Sequence, residues 1–313
     1  MYLNKITMAK ILIATEKPFA KVAVDGIKEV AETAGLEIVL LEKYTEKAQL
    51  LAAVADVEAM IIRSDKIDNE VFDAAKNLKI VVRAGAGYDN VDLAAATAHG
   101  VVVMNTPGQN SNAVAELVFG MLVFAVRNFY NGKAGTELKG KKLGILAYGN
   151  VGRRVAHIAK GFDMDVYAYD AYCPAAAIES DGVKAVSSQD ELFEKCEVVS
   201  LHIPATAETR QSINYALVGK MPKGGVLVNT ARKEVINEPE LLKLMQDRTD
   251  LKYVTDIMPE ADADFRILEG RYFSTPKKMG AQTAEANINA GVAAAHQIAA
   301  FFKDGCTKYQ VNK

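Results

Sequence analysis

The sequence predicts an α/β protein built from two doubly wound parallel-sheet domains, and three observations lead to that prediction. Short apolar runs alternate with segments of helical periodicity. The alternation breaks once, at Pro107-Gly108, and then resumes as a second series. The length of 313 residues is enough for two hydrophobic cores, because single cores stop growing near ~250–300 residues. Buried strands separated by helices are typical of βαβ units and parallel sheets.

The first series has five strand-like runs, at residues 10–14, 37–41, 59–63, 80–83 and 101–104. Helical periodicity lies between them, for example over 19–34 and 69–75. After the break, Ser111 or Asn112 is placed to N-cap a long apolar helix that runs to about residue 128. A helix that is apolar nearly all round is expected to be buried. We expect it between the two domains, where the chain crosses from one to the other.

The second series has six strand-like runs, at 142–147, 165–169, 198–201, 226–229, 253–256 and 272–275. An alanine-rich final helix over about 284–303 is long enough to return to the first domain. The second domain is therefore expected to be inserted into a discontinuous first domain. The expected boundaries are 1–108 and 285–313 for the first domain and 109–284 for the second.

Composition excludes several classes of function. The net charge is −2 and no basic block occurs, so neither nucleic acid nor an anionic membrane is an expected partner. The three cysteines, Cys173, Cys196 and Cys306, form no metal-ligand pattern and favour a reducing cytoplasm. No apolar run reaches the ~18–20 residues that span a bilayer, and no signal peptide is predicted. Residues 1–7 have the character of an extension or an alternative start. We expect a cytoplasmic protein without a metal.

The strand at 142–147 leads directly into a glycine-containing turn, Ala147-Tyr148-Gly149-Asn150-Val151-Gly152, and then into a helix. The dinucleotide fingerprint is GxGxxG in this context, and here alanine holds its first position. Gly149 would let the backbone approach a pyrophosphate, and Gly152 would let helix and strand pack closely. The helix amides after Val151 would supply the anion site.

The position of an acidic residue strengthens the fingerprint. The next strand-like run is followed by Asp170, eighteen residues beyond Gly152, near the ~20-residue spacing of the acid that binds the ribose hydroxyls. A carboxylate there would repel a 2′-phosphate, and no arginine sits beside it in the sequence. The predicted cofactor is therefore NAD rather than NADP.

Four segments resemble the D-isomer-specific 2-hydroxyacid dehydrogenases, in order along nearly the whole chain. They are "RAGAGYDNVDLAAATAHGVVVMNTPG", "AELVFGML", "KLGILAYGNVGRRVA" and "VLVNTARKEVINEPELLKLMQ". Within that family, "IIRSDKID" and "MNTPGQNSNAVAE" are most similar to the D-3-phosphoglycerate dehydrogenase branch. The resemblance implies two Rossmann-like domains, with NAD bound by the inserted one and the substrate by the discontinuous one. It also implies a homodimer and a phosphorylated 2-hydroxy acid as substrate, without a regulatory domain.

The resemblance also implies which residues form the site. Arg232, in "NTARKE", matches the family's arginine, whose planar fork holds a substrate carboxylate and carbonyl. The further substrate contacts it implies are Arg63, Ser64, Arg83, Gly85, Ala86, Gly87 and Asn110. Beyond the fingerprint and Asp170, the implied cofactor contacts are Ile203, Thr230, Ala231, Arg232, Asp256, Lys278, Gly280 and Ala281.

The sequence departs from the family at the acid-base. The usual histidine in a "PHLGA"-like turn is replaced by Pro276-Lys277-Lys278-Met279-Gly280-Ala281, and the usual glutamate position holds Ala261, with Glu260 one residue short. Counting back from Gly280-Ala281 assigns the catalytic position to Lys278, whereas counting forward from Pro276 assigns it to Lys277. A lysine takes this role only if burial and neighbouring positive charges lower its pKa toward neutrality. Without the glutamate, nothing there opposes such a shift, so Lys278 is the predicted acid-base. Lys277 is expected to help electrostatically, and Glu260 is a further catalytic candidate.

Other functions remain open from the sequence. Within the enzyme class, the alternatives are a hydroxypyruvate or glyoxylate reductase and a D-lactate-type dehydrogenase. A more remote alternative is a non-enzymatic, NADH-sensing corepressor of the same fold.

Overall fold

The computed structural model describes residues 8–312, which form two compact units. Unit 1 contains the chain up to Asn110 together with the chain from Thr283, and unit 2 contains Ser111–Gln282. The predicted extension at residues 1–7 lies outside the described residues. Each unit has one all-parallel sheet with helices on it, as the alternating sequence pattern predicts.

Unit 1 has a five-stranded sheet in the order β2-β1-β3-β4-β5. Its strands are β1 (Lys10–Thr15), β2 (Glu37–Glu42), β3 (Ala59–Ile62), β4 (Ile80–Arg83) and β5 (Val102–Asn105). Its helices are α1 (Lys21–Thr33), α2 (Lys47–Val54), α3 (Asn69–Ala74), α4 (Leu93–Ala98) and the returning α12 (Ala284–Asp304). The strand order reverses between β1 and β3, and ligands of such sheets bind at the carboxyl ends of the strands near that point.

The core of unit 1 lies on both faces of its sheet. Along β1, Ile11 and Ile13 belong to the apolar cluster that includes α1 and α12 residues, whereas Leu12 and Ala14 belong to the opposite cluster with residues of α2 and α3. This strict alternation follows from the two-residue period of a strand. Since both faces are covered, the strand is apolar throughout.

Unit 2 has a seven-stranded sheet in the order β12-β11-β10-β9-β6-β7-β8. Its strands are β6 (Lys142–Leu146), β7 (Asp165–Tyr169), β8 (Lys184–Ala185), β9 (Val198–Leu201), β10 (Val226–Asn229), β11 (Lys252–Thr255) and β12 (Tyr272–Ser274). Its α-helices are α5 (Ser111–Val126), α6 (Asn150–Gly161), α7 (Ala175–Glu179), α8 (Gln189–Lys195), α9 (Tyr215–Val218), α10 (Glu238–Asp247) and α11 (Asp262–Arg266). Here the order reverses between β6 and β9, so β6, which carries the fingerprint, lies at the reversal.

The apolar helix α5 packs inside unit 2. Its buried side chains, among them Val118 and Leu122, join a core with residues of α6 and of strands β6, β7, β9, β10 and β11. The predicted capping residues do not cap it. The Ser111 hydroxyl is buried without a hydrogen-bond partner among the described residues, and Asn112 Nδ2 donates to Glu116 Oε1. The prediction failed because a capping residue must precede the helix, and α5 already begins at Ser111.

The strand β8 is absent from the sequence prediction, because two residues are too few to show a periodicity. Among residues 8–312, no helix is both long enough and apolar enough to cross a membrane.

Candidate active site

The fingerprint turn lies between β6 and α6, and its two glycines have different surroundings. Gly149 is the N-cap of α6 and provides no side-chain cap. A Cβ added to Gly149 would meet nothing within 4 Å, so open space lies in front of the first amides of the helix. A Cβ added to Gly152 would lie 3.0 Å from Ile145 Cγ2 and still closer to the carbonyl oxygen of Ala147. Gly152 is thus required by the contact of α6 with β6, whereas Gly149 leaves room for a ligand.

Ala147, at the first fingerprint position, has a φ of +78°. This is the left-handed region, where a Cβ costs roughly 1–2 kcal/mol. The turn therefore keeps the backbone shape for which the usual glycine is suited, although the side chain opposes it. The alanine strains the turn without closing the space beside Gly149.

Asp170 follows β7 and fixes the same turn. Its Oδ2 accepts a hydrogen bond from the amide of Tyr148 at 2.7 Å, and its Oδ1 accepts from the amides of Tyr172 and Cys173 at 2.7 and 2.8 Å. A carboxylate has about four acceptor positions, so it retains capacity for a ribose hydroxyl. Asp170 thus has a structural role that sequence spacing alone did not predict.

One part of the cofactor argument is corrected by the structure. No arginine is adjacent to Asp170 in the sequence, but Arg153 reaches the same loop from α6. Its Nη2 lies 3.5 Å from Sγ of Cys173, whose amide is bonded to Asp170. The sequence analysis did not anticipate this contact, because α6 and the loop after β7 are neighbours only in the folded chain, and the contact does not overturn the prediction of NAD.

The residues around the turn fit a bound dinucleotide. Open space lies at the N-terminus of α6 beside Gly149, with Asn150 and Val151 as the first helical residues. A second feature lies after β10, where the Thr230 hydroxyl is buried without a hydrogen-bond partner among the described residues. A buried hydroxyl that lacks a protein partner is what a polar ligand would satisfy. Ile203, which is partly buried, follows β9 at the same end of the sheet.

Arg232 is positioned by the turn that follows β10. The fully buried Asn229 accepts a hydrogen bond from the Ala231 amide and donates one to the Arg232 carbonyl oxygen, both at 2.9 Å. Arg232 is half-buried, and its Nη1 donates to the Ala231 carbonyl oxygen at 2.9 Å. Asn229 was missed by the sequence analysis, although its place at the end of a buried strand was a usable signal.

Lys278 lies beside Arg232. Its Nζ donates to the same Ala231 carbonyl oxygen, at 3.5 Å. One backbone oxygen therefore brings together the guanidinium and the ammonium that the sequence assigns to catalysis. Lys277 and Lys278 are both exposed, so the burial that the sequence analysis expected of the acid-base is not observed. The contact of Lys278 with the Ala231 carbonyl oxygen is what distinguishes the two lysines, since no hydrogen bond or ion pair joins the Lys277 side chain to another residue of the described range. The geometry thus favours the register counted back from Gly280-Ala281.

The turn that carries Lys278 is anchored by Asp256, which follows β11 and is fully buried. Its Oδ1 accepts from the Met279 amide at 2.7 Å and from the Thr275 hydroxyl at 3.0 Å, and its Oδ2 accepts from the Gly280 amide at 2.8 Å. A Cβ on Gly280 would lie 3.0 Å from that carboxylate, so glycine permits the close approach. Ala281, next in the chain, is partly buried.

The Glu260 side chain forms an ion pair with Lys233. Its Oε1 accepts from Lys233 Nζ at 2.8 Å, and its side chain is 79% exposed. This lysine holds the pKa of the Glu260 carboxyl below its usual range. A carboxylate with a lowered pKa is a weaker base, so Glu260 has no feature of an acid-base group.

A histidine also lies at the carboxyl edge of this sheet. His202 follows β9, and its Nε2 is 3.0 Å from the Ser200 hydroxyl. The residue is partly exposed by surface area, yet its ring is enclosed by protein, and burial lowers the pKa of His202 to about 3. We therefore regard the ring as a neutral, structural group. Within residues 8–312, no cluster of three or more His, Cys, Asp or Glu side chains is arranged to hold a metal.

In unit 1, Arg63 follows β3 at the strand-order reversal, but most of its guanidinium donors already form hydrogen bonds within the unit. It donates to the carbonyl oxygens of Lys17 and Pro18 and to Asn287 Oδ1, and it packs over the Phe19 ring. Burial lowers its pKa. Ser64, the next residue, is exposed. These contacts make Arg63 a clamp between the β1–α1 loop and α12, a role that the sequence did not indicate.

Arg83 and the glycine loop after β4 form a second part of unit 1. Arg83 Nε donates to the Arg63 carbonyl oxygen at 3.0 Å, and its guanidinium occupies the space where a Cβ on Gly85 would lie. Gly85 has a φ of +150°. No described residue accepts a hydrogen bond from the amides of Ala86 or Gly87. The amides of Ala86 and Gly87 are therefore available to an external acceptor. Asn110 is the last residue of the chain in this part of unit 1.

Asp65, which the sequence analysis passed over, joins three loops at the carboxyl ends of β1, β2 and β3. Its carboxylate accepts from the Glu16 amide, the Tyr44 hydroxyl and the Arg63 amide. Asp65 is 3% exposed. Burial of the Tyr44 phenol, and then its hydrogen bond to Asp65, raise the pKa of Tyr44. A buried carboxylate with these partners fixes the loop that carries Arg63 and Ser64.

Comparison with known proteins identifies the family of this chain. A family model described as D-isomer specific 2-hydroxyacid dehydrogenase, NAD binding domain, matches residues 120–272. A D-3-phosphoglycerate dehydrogenase of Methanocaldococcus jannaschii is 33% identical over 308 residues, covering 93% of this chain and 57% of that protein. A hydroxypyruvate reductase of Thermotoga maritima is 34% identical over 284 residues, covering 84% and 90%.

Among solved structures, the NAD⁺-bound 3-phosphoglycerate dehydrogenase of Entamoeba histolytica is 48% identical and superposes with a TM-score of 0.85. That match covers 98% of this chain and 99% of the other. The chain spans somewhat more than half the length of the archaeal phosphoglycerate dehydrogenase that it matches. These matches confirm the predicted fold class and the predicted cofactor, NAD. The chain belongs to the D-isomer specific 2-hydroxyacid dehydrogenase family and is an NAD-dependent member of it.

Proposed function

We propose that this protein oxidises D-3-phosphoglycerate to 3-phosphohydroxypyruvate, with Arg232 binding the substrate and Lys278 transferring the proton. The observation that carries the proposal is the carbonyl oxygen of Ala231, which accepts from both side chains. The named relatives support the substrate, because two of the three described above are phosphoglycerate dehydrogenases.

Arg232 would bind and orient the substrate. The Asn229 bonds fix the backbone on both sides of Ala231, and the guanidinium needs one donor for the Ala231 oxygen. Arginine has five N–H donors in a planar fork, so a pair remains for a carboxylate and the neighbouring hydroxyl or carbonyl oxygen. Such a bidentate contact holds the reacting carbon in one orientation, which is worth several kcal/mol of the barrier.

Lys278 would take the hydroxyl proton during oxidation and return it during reduction. NAD, when bound, supplies the acceptor for the hydride. The positive charge of Arg232 beside Lys278 favours the neutral amine that a base requires. Asp256 holds the backbone of Met279 and Gly280, so the lysine is carried by a turn with little freedom. Glu260 has no part in this scheme, because it is paired with Lys233.

In unit 1, we propose that the amides of Ala86 and Gly87 bind an anionic group of the substrate. Arg83 adds positive charge to this loop, since its guanidinium lies over Gly85. Ser64 would add a hydroxyl donor. Arg63 would act mainly by holding the loop, because its donors already have acceptors within the unit.

The experiment that tests the proposal measures NADH production or consumption with a matched panel of acids. The panel contains 3-phosphoglycerate and phosphohydroxypyruvate beside glycerate, hydroxypyruvate, glyoxylate and lactate. We expect kcat/KM to be highest for the phosphorylated pair. Higher kcat/KM for an acid without phosphate would overturn the proposed substrate but not the family.

A second candidate is a hydroxypyruvate reductase, which the similarity to the Thermotoga maritima enzyme favours. The same panel separates the two, because that activity requires no contact with a phosphate. We also propose that the protein is a cytoplasmic homodimer, as the family resemblance implies. Light scattering of the eluting protein at micromolar concentration measures the mass directly, and a mass equal to one 33.8 kDa chain would contradict the dimer.

A further inference from the structure

A polar surface cavity lies beside the fingerprint turn, on the outer side of α6. Its volume is about 410 Å³, within the range of small-molecule sites. Its lining includes Asn150, the first residue of α6, and the cationic side chains Arg153, Arg154 and Lys160. Asp181 is the only carboxylate in the lining, among the described residues. The cavity is thus a positively charged region adjoining the dinucleotide turn.

Within this cavity, Arg153 is clamped by two groups. Its Nη1 forms an ion pair with Asp181 Oδ2, and its guanidinium lies 4.8 Å from the centre of the Tyr148 ring. The Tyr148 hydroxyl donates to the same carboxylate oxygen at 3.1 Å. The backbone of Asp181 is held as well, since Lys160 Nζ donates to its carbonyl oxygen. The charge of Arg153 is therefore balanced in a fixed position.

The clamped guanidinium is close to the acid that selects NAD. Arg153 Nη2 contacts Sγ of Cys173 at 3.5 Å, and the Cys173 amide donates to Asp170 at 2.8 Å. Tyr148, beneath the guanidinium, donates its amide to the other oxygen of Asp170. In dinucleotide folds, an acid at this place binds the ribose hydroxyls of NAD, and a nearby arginine accommodates the 2′-phosphate of NADP. In this chain the acid lies on the loop after β7, and the arginine reaches that loop from α6.

We infer that Asp181 is a positioning residue for cofactor choice: it pairs with Arg153 and so withholds from a 2′-phosphate the guanidinium that contacts the loop of Asp170. Releasing Arg153 should therefore improve the binding of NADP. The inference concerns the cofactor alone and is independent of which 2-hydroxy acid is the substrate.

The test compares Asp181→Asn, Arg153→Gln and the double variant with the unmodified enzyme. Asp181 is 41% exposed, so the fold should tolerate the change, and Asp181→Ala provides a second removal of the charge. Asp190→Asn is the matched control, since Asp190 is an exposed carboxylate near Lys220 elsewhere in unit 2. Binding is measured by fluorescence titration with NADH and NADPH and by calorimetry with 5′-AMP and 2′,5′-ADP.

We expect the dissociation constant for NADPH to fall about tenfold relative to that for NADH in Asp181→Asn, the worth of one charge-assisted contact. The dissociation constant for 2′,5′-ADP should likewise fall relative to that for 5′-AMP. The double variant should lose this gain, and Asp190→Asn should show none. An unchanged ratio in both Asp181 variants would overturn the inference. An equal gain in the double variant would overturn it too, because Arg153 would then not be the group that binds the phosphate.

Discussion

Which of two adjacent lysines transfers the proton is decided at the scale of single residues. Lys278→Ala should lower kcat by about 10²–10⁴-fold, the usual worth of a positioned acid-base, while NADH still binds. Lys277→Ala is the matched control and should do less. It should also move the pH profile of kcat upward, because a like charge has been removed.

Steady-state rates of the two alanine variants across pH, with NADH titrations, make this comparison. Lys278→His should recover little activity, since the carboxylate of Glu260, which is one residue from the family's usual glutamate position, is paired with Lys233 and not with an imidazole. If Lys277→Ala is the inactive variant, the register counted from Pro276 is correct. If both variants stay active, neither lysine is the acid-base.

Arg232 provides a second prediction at this scale. Arg232→Lys keeps the charge but loses the fork, so kcat/KM should fall by the equivalent of about 3 kcal/mol or more. Arg154→Lys is the control, because Arg154 is an exposed arginine of the same unit. Activity of Arg232→Lys close to that of the control would place substrate binding elsewhere.

Asp170 has two roles, and both affect the outcome of its replacement. Asp170→Ala should weaken NADH binding far more than NADPH binding, because the ribose acceptor and the repulsion of a 2′-phosphate are lost together. Three amides would also lose their acceptor, so the melting temperature should fall. Fluorescence titrations and thermal melts separate these effects. A native protein that prefers NADP would contradict the ribose assignment.

At the scale of elements, the two fingerprint glycines separate ligand binding from packing. Gly149→Ala adds a methyl group to open space, so it should weaken NADH binding with little change in melting temperature. Gly152→Ala forces α6 away from β6, so it should reduce both the affinity for NADH and the melting temperature. The free energy of unfolding should fall by about 1–3 kcal/mol. Thermal melts with and without NADH measure the pair. Equal NADH affinity in Gly149→Ala and the native protein would contradict the prediction that the pyrophosphate binds at this turn.

At the scale of the whole molecule, buried His202 should make stability depend on pH. Its pKa is lowered to about 3 in the folded protein, against 6.5 as the usual value. Between these values the unfolded chain binds a proton that the folded protein does not. The free energy of unfolding should therefore fall as pH decreases below about 6.5, by at most about 1.4 kcal/mol per pH unit from this group.

Chemical denaturation between pH 4 and 8 measures that dependence. His202→Gln should flatten the slope in the acidic half of the range, and His157→Gln, at an exposed position, is the control. A slope that is identical in His202→Gln and the native protein would show that another group produces the pH dependence.

The sequence alone determined the fold class, because the alternation of apolar strands and helices is a local pattern that both sheets obey. It also predicted whole strands, such as 165–169, 198–201 and 226–229, with the observed boundaries. The fingerprint and the acid after β7 are recognisable for the same reason, since strand, turn and helix follow directly along the chain. The spacing between the fingerprint and this acid therefore led to the prediction of NAD. The matching segments along the chain led to the family.

Only the tertiary structure decided how distant residues meet. Lys278 and Arg232 share the Ala231 oxygen although 46 positions separate the two in sequence, and no periodicity records that contact. Arg153 reaches the loop beside Asp170, and Arg63 binds Asn287, through packing of elements far apart along the chain. Side-chain partners of this kind depend on the order of strands in the sheet, and a linear pattern does not contain that order.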